Sequence, residues 1–415
     1  MRFKSKLLLI VFLSVTFLLF LYFNSPKEAA RISQVPTDSS FQTNKNYSKN
    51  PGKVANIFGW EYNRTSCFIE HLQDTIIFFY AEDQNIYYTY HSNPEEYSAI
   101  ENLPVPQNPD FDVVCEKDNI YLTISDVHQQ FIYFLEGKLD DRRYVISSKE
   151  LIYDGQVAYN AVAPHTRIFK GTPYVVFMEY GRTGTHTPNS KVFVSKQLSP
   201  GEWQTTKLFE HPATNSQVLG VSLEQYQNNL YAFMLPEGKS MVITKLQEDN
   251  QWSKPKEQLL LNVSGHLEWQ TLVDSKGILH IVFPTTDRTI LYAQLNNNNW
   301  KIWRIKELPS INTLNLFEVP SQGVFLIYNT GVLRKVLPNG LSKGIQIAGL
   351  NNDNNLYFLR VPETVSSEVD LVWLEGKDGT HTITYKSFDL TKYLLELQAI
   401  DSRIQTETEQ LVITN

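Results

Sequence analysis

One short unit of strands recurs along most of this chain. Its clearest copy is GILHIVF (277–283), a TTDR turn, TILYAQL (289–295), an NNNN turn and WKIWRI (300–305). Equivalent positions in the second strand of each copy are Ile76, Ile120, Pro173, Leu230, Leu279, Val324 and Leu371, spaced 44 to 57 residues apart. A period of about 45 residues with four strands per unit is the signature of a propeller. One such sheet cannot bury both of its faces alone, so successive units stack around an axis. The seven anchors predict an all-β, seven-bladed β-propeller over residues 53–389.

The strands are dense in Val, Ile, Tyr and Phe, residues that suit a pleated and packed surface. Asn, Asp, Gly and Pro fill the gaps between them. The last copy lacks an outermost strand before Leu390, while VANIFGW (54–60) precedes the first copy without a partner. Pairing this N-terminal segment with the final unit would remove the open edges that an unclosed ring leaves.

Arg2, Lys4 and Lys6 precede a run of apolar and hydroxyl residues without charge, 7–23. Such a run is just long enough to span a bilayer, and no A-x-A cleavage pattern follows it. Residues 1–24 are therefore expected to act as an uncleaved membrane anchor with its basic end in the cytoplasm, a cleaved signal peptide being the alternative. Residues 25–52 are polar and read as a flexible linker. On either reading the propeller is extracytoplasmic. The formal net charge of −7 argues against a nucleic-acid partner, which would require a basic face. The two cysteines, Cys67 and Cys115, could pair in an oxidising compartment or stay as buried thiols. No Cys or His pair has zinc-site spacing, and neither a metal nor a cofactor is expected.

Residues 390–415 change character. Leu390, Leu394, Leu397, Ile404 and Leu411 follow a 4-3 spacing interrupted by Asp401 and Thr408. This predicts an amphipathic helical tail, packed on the propeller rim or forming an oligomer through 390–411.

Loops from all the units converge where the first strands begin, which makes that mouth the expected site. Segments leading into first strands supply Trp60, Glu61 and Arg64; Asp110 and Asp112; Tyr159, His165 and Arg167; and His266 and Glu268. Arg182 lies in the long connection that follows Glu179. Carboxylates and amides hydrogen-bond hydroxyls, and aromatic faces accept the apolar face of a sugar ring. Trp60, Glu61, Arg64, Arg167, Arg182, Asp110 and Asp112 are thus candidate ligand-binding residues. His165, Tyr159, His266 and Glu268 are candidate proton-transfer residues.

The phrase DSKGILHIVF…TILYAQLNNNNW (274–300) resembles the repeats of the sialidase-type β-propeller superfamily, and the likeness extends over about 53–389. The aspartate box of that superfamily is absent, since the third-to-fourth turns read NPEE, KLDDR, SPGE, QEDN and NNNN. The resemblance is to divergent members, and it implies a propeller that handles glycans. For a sialate carboxylate it would draw on Arg64, Arg167 and Arg182. A looser resemblance to propeller polysaccharide lyases with His and Tyr catalysts would draw on His165, Tyr159 and His266. The expectation is an anchored propeller that binds a carbohydrate or an envelope or surface protein without catalysis. The alternative is a polysaccharide lyase or sialidase-like glycoside hydrolase acting on an acidic glycan.

Overall fold

The computed structural model describes residues 53–55, 67–72, 75–82, 85–90, 97–99, 109–126, 129–140, 143–156, 159–181, 190–211, 218–236, 240–259, 269–284, 289–297, 299–305, 314–328, 330–350, 356–377 and 380–407. The protein is an all-β propeller. Among the described residues the strands form seven antiparallel sheets, each a meander with its first strand innermost. The inner strands are Cys67–Leu72, Pro109–Glu116, Tyr159–Phe169, Val218–Tyr226, Gln270–Val273, Leu314–Val319 and Leu356–Arg360, here taken as sheets one to seven. Each lies against the next, and Leu356–Arg360 lies against both Leu314–Val319 and Cys67–Leu72. The succession of sheets therefore closes on itself.

Apolar clusters are wedged between successive sheets. Ile77, Phe79 and Tyr88 of sheet one meet Phe111, Val113 and Leu135 of sheet two. Phe134 and Ile152 of sheet two meet Val175 and Phe177 of sheet three. Equivalent clusters join three to four, four to five, five to six and six to seven. The alternation of each strand supplies both of its neighbours, which explains why both faces of these sheets are apolar. The anchors Ile120, Leu230, Leu279 and Leu371 are fully buried.

Strand Lys53–Ala55 pairs antiparallel with Thr380–Thr382 and is the outermost strand of sheet seven. The N-terminal segment thus joins the C-terminal sheet, as the unmatched repeat requires. The expected anchor and linker, residues 1–52, lie outside the described residues. Among the described residues no helix is long and apolar enough to cross a membrane.

The expected helical tail is corrected. Residues Leu390–Lys392 and Glu396–Gln398 form two short 3₁₀ turns, and Gln405–Glu407 is a strand. Asp389 caps the first turn through the Thr391 amide at 2.9 Å. Leu390 and Leu397 fill the core between sheets six and seven. The chain then runs extended along sheet six, where the Lys343 amide donates to Ala399 and the Asp401 amide to Leu341. It ends by adding Gln405–Glu407 to the outer strand of sheet five. The apolar spacing was real, but backbone groups offered by the open sheet edges took the hydrogen bonds that a helix would have made. The tail is committed to its own propeller across three sheets, so the expected oligomer through 390–411 loses its basis; Leu411 lies outside the described residues.

Cys115 is a free, partly buried thiol, so the pairing with Cys67 is not made. Burial, and then the Glu70 carboxylate, push this thiol well above its ordinary range. A second structural device sits in the DSKG turn. One oxygen of Asp274 accepts the Lys276 and Ile278 amides at 3.0 and 2.8 Å. Its other oxygen stands 3.3 Å from His280 Nε2, and His280 Nδ1 meets the Tyr292 hydroxyl. Burial opposes ionisation of Asp274, yet the His280 contact and these amides hold its pKa below the usual value. Tyr292 and His280 are buried. Tyr292→Phe strands a buried ring nitrogen and is expected to lower stability by about 1–3 kcal/mol in urea unfolding.

Candidate functional site

Each inner strand is the edge of its sheet. Polar side chains from one sheet therefore reach the backbone of the next. Asp110 Oδ2 accepts the Ala163 amide at 2.7 Å, and Asp112 Oδ2 accepts the Thr166 amide at 2.6 Å. His165 Nδ1 accepts the Leu223 amide at 3.2 Å. Gln270 Oε1 accepts the Leu316 amide at 2.9 Å, and Asn315 Nδ2 donates to the Leu359 carbonyl at 2.7 Å. Hydroxyl pairs continue the ring: Thr123 with Thr166 at 2.6 Å, and Ser222 with Thr271 at 2.7 Å. The Asp110 bond holds a bulge in the third inner strand, where Ala163 adopts a φ of 52°. A non-glycine residue there is uncommon and requires support from its surroundings.

A charged cluster crosses this ring. Arg167 Nη2 lies 3.1 Å from Glu224 Oε1 on sheet four and 2.7 Å from Glu363 Oε1, in the turn after the seventh inner strand. Sheets three and seven are not neighbours in the circle, so the Arg167–Glu363 bond spans the axis. Glu224 also accepts the Thr271 hydroxyl. The turn carrying Glu363 is fixed by the Glu318 amide, which donates to the Glu363 carbonyl at 2.8 Å. Burial disfavours a charged Arg167, but Glu224, Glu363 and Asp112 outweigh it and raise its pKa.

Glu70, on the first inner strand, belongs to the same cluster. Its side chain makes no hydrogen bond or ion pair among the described residues, and it is half-buried. Burial, and next the Glu363 carboxylate, push its pKa well above the ordinary carboxylate range; Arg167 offsets them only in part. Burial also raises Glu224, against the pull of Arg167. The raised Glu70 pKa means that the folded state bears a growing penalty as pH climbs above the unfolded-state value of about 4.3. Glu70→Gln is therefore expected to raise the urea midpoint at pH 8 and to leave it nearly unchanged at pH 4.

A further group lies off the axis, between sheets two and three, near the start of the third inner strand. The Tyr153 hydroxyl donates to Glu179 Oε1 at 2.5 Å, and Lys191 Nζ stands 3.8 Å from Glu179 Oε2. The same ammonium lies 4.3 Å from the centre of the Tyr159 ring. Burial, then the Glu179 bond, push the Tyr153 phenol upward, so it stays protonated.

The structure thus brings Asp112, His165 and Arg167 together and engages each in bonds between sheets. Asp110 belongs to the same ring of links. Each of these candidate residues thus already bonds a neighbouring sheet. Arg167 stands near the far end of its strand rather than at the mouth, and its guanidinium is shared by two carboxylates. His165 has Leu223 on one nitrogen and Ser222 at 3.4 Å from the other. Tyr159 is buried beneath Lys191. Trp60, Glu61, Arg64, Arg182, His266 and Glu268 lie outside the described residues. Glu70, Ser222, Glu224, Thr271 and Glu363 were missed. Polar residues interrupting apolar inner strands, as in CFIEHL and VLGVSLEQY, were the available signal. Among the described residues no group of three or more His, Cys, Asp or Glu side chains could hold a metal ion.

No protein-family model matches the chain, and no curated protein matches it by sequence. Solved structures do match by fold. The polysaccharide lyase Uly1 is 12% identical with a TM-score of 0.50, over 86% of this chain and 98% of the lyase. A Trypanosoma rangeli sialidase in complex with sialic acid is 7% identical with a TM-score of 0.47, over 86% of this chain and 60% of the sialidase. The Penicillium chrysogenum α-L-arabinanase complexed with arabinobiose is 12% identical with a TM-score of 0.44, over 83% and 99%. This chain thus spans about 60% of the length of the sialidase it matches. At such identities the likeness is one of fold. In fold, the chain is similar to the polysaccharide lyase Uly1.

Proposed function

We propose that this chain is an extracytoplasmic propeller, anchored through residues 7–23, whose seven sheets serve as blades around an axial cup that binds a glycan without converting it. The observation that carries this reading is the convergence of carboxylates and hydroxyls from separate sheets on the inner strands, Arg167 with Glu224 and Glu363, and Ser222 with Thr271. Carboxyl and hydroxyl groups fixed in this way are suited to the hydroxyls of a sugar. Binding is favoured over turnover because His165 and Tyr159 are already engaged in packing and in bonds between sheets. The full-length protein is expected to be retained by particular glycans on an array, with retention lost in Glu70→Ala. That variant removes no side-chain hydrogen bond made among the described residues. Absence of retention on any glycan contradicts the proposal.

A second reading, a lyase or glycosidase acting on an acidic glycan, draws on Tyr153 as a proton donor backed by Glu179. It predicts unsaturated products that absorb in the ultraviolet, or released reducing ends, from uronate polymers. Silence across alginate, pectin and glycosaminoglycans removes it.

A further inference from the structure

We infer that the protein carries a cross-axis clamp, a closed circuit of bonds that locks sheets three to seven into one unit and leaves sheet one as the part of the ring that opens first. The circuit starts at Arg167 of sheet three, whose Nη2 lies 3.1 Å from Glu224 Oε1 on sheet four. Glu224 accepts the hydroxyl of Thr271, on the inner strand of sheet five. In the turn that follows that strand, the Ser275 amide and hydroxyl donate to the two carboxylate oxygens of Glu318 on sheet six, at 2.8 and 2.6 Å. The Glu318 backbone holds the turn after the seventh inner strand. Its amide donates to the Glu363 carbonyl at 2.8 Å, and its carbonyl accepts the Val365 amide at 2.9 Å. Glu363 Oε1 then returns across the axis to Arg167 Nη2 at 2.7 Å.

All but the last of these links join neighbouring sheets. The last joins sheets seven and three and bypasses sheets one and two. A ring that parts at the joint between sheets seven and one spreads like an opened collar unless something holds sheets three and seven together. The Arg167–Glu363 bond does so, and the break stays local. Sheet two is tied back to the clamped unit by Asp110 and Asp112, which accept amides of sheet three. Sheet one reaches sheet two through the Tyr88 hydroxyl, which accepts the Tyr144 amide at 2.6 Å, and it has no member in the circuit. The apolar clusters between sheets attract without fixing direction. The circuit adds directional bonds, and its carboxylates Glu224 and Glu318 are buried, where an unmade bond is costly.

The test is native-state hydrogen exchange of the full-length protein, read strand by strand. Amides of Thr75–Glu82, in sheet one, are expected to exchange at least about tenfold faster than those of Glu368–Lys377, in sheet seven. Equal protection of the two strands, or faster exchange in sheet seven, overturns the inference. Glu363→Lys breaks the return bond by setting an ammonium against the guanidinium. The Glu363 side chain is about half exposed, and the substitution keeps the backbone link to Glu318. Exchange along Glu368–Lys377 is expected to rise about tenfold, toward the rate of Thr75–Glu82, while Val218–Tyr226 of sheet four rises less. A rise confined to residues 361–365, or a rise by one common factor in every sheet, overturns the clamp. Glu363→Gln keeps the shape and removes the charge, and it covers the case of a Glu363→Lys protein that does not fold. The same pattern is expected at about two- to threefold, and its absence overturns the clamp as well.

Discussion

Asp401→Ala is expected to lower stability by about 3–5 kcal/mol at pH 7, the usual consequence of leaving one member of a buried ion pair uncompensated. Arg334 Nη1 lies 2.9 Å from Asp401 Oδ2, and both side chains are almost wholly buried. Arg334 also donates to the Ser342 carbonyl at 2.7 Å, which would not neutralise the charge left behind. Asp401 further anchors the tail, because its Oδ1 accepts the Arg403 amide at 3.0 Å. Losing it frees the segment that leads to Gln405–Glu407, so faster hydrogen exchange is expected along Ile302–Arg304, the strand it pairs with. Burial opposes ionisation of Asp401, but bonds from Arg403 and Arg334 hold its pKa well below the ordinary value. A depressed carboxylate pKa contributes stability that is present above the unfolded-state value of about 3.9 and lost as pH falls toward the folded-state value. The gap between the two proteins should stay level from pH 5 to 8 and narrow below about pH 4. A urea midpoint within error of the parent's at pH 7 contradicts this account of the tail.

Arg167→Ala is expected to cost about 3 kcal/mol at pH 8 and distinctly less at pH 5. The guanidinium is the shared partner of Glu224 and Glu363. Its removal leaves the buried Glu224 without a counter-charge, close to Glu363. Burial already raises the Glu224 pKa with Arg167 present, and the loss of Arg167 raises it further. A carboxylate whose folded-state pKa lies above its unfolded value destabilises increasingly as pH rises between the two values. The deficit therefore grows with pH, opposite in sense to the acid-side behaviour of Asp401→Ala. Urea titrations of both variants at pH 5 and pH 8 separate the two electrostatic environments. A deficit for Arg167→Ala that is flat across this range contradicts the carboxylate cluster.

The repeat was legible because strand alternation and turn composition are local, and the second-strand anchors from Ile120 to Leu371 fell on buried positions. Closure by the N-terminal segment was legible by elimination, since one unit lacked a strand and one strand lacked a unit. The tail misled because Leu390 and Leu397 are seven residues apart on any backbone. The sheet edges that made extension preferable to a helix belong to strands distant in sequence. The site was less legible still. Asp112 bonds a residue 54 positions away, and Arg167 bonds Glu363 at a separation of 196. Period-two alternation marked Asp110 and Asp112 as sharing a face, but it could not say that this face is the next sheet rather than solvent. Arg167 was read as mouth-lining because it was counted in the segment leading into the third inner strand. It stands inside that strand, which begins at Tyr159, near its far end.

The central claim is that side chains converging from separate sheets form an axial cup for a glycan. The most direct measurement is calorimetric titration of the full-length protein with a glycan that it retains, repeated with Glu70→Ala. The account predicts saturable binding at one site per chain, lost or weakened at least about tenfold in the variant while its urea midpoint at pH 7 does not fall. Unaltered affinity in a folded Glu70→Ala protein would place the ligand elsewhere and contradict the axial site.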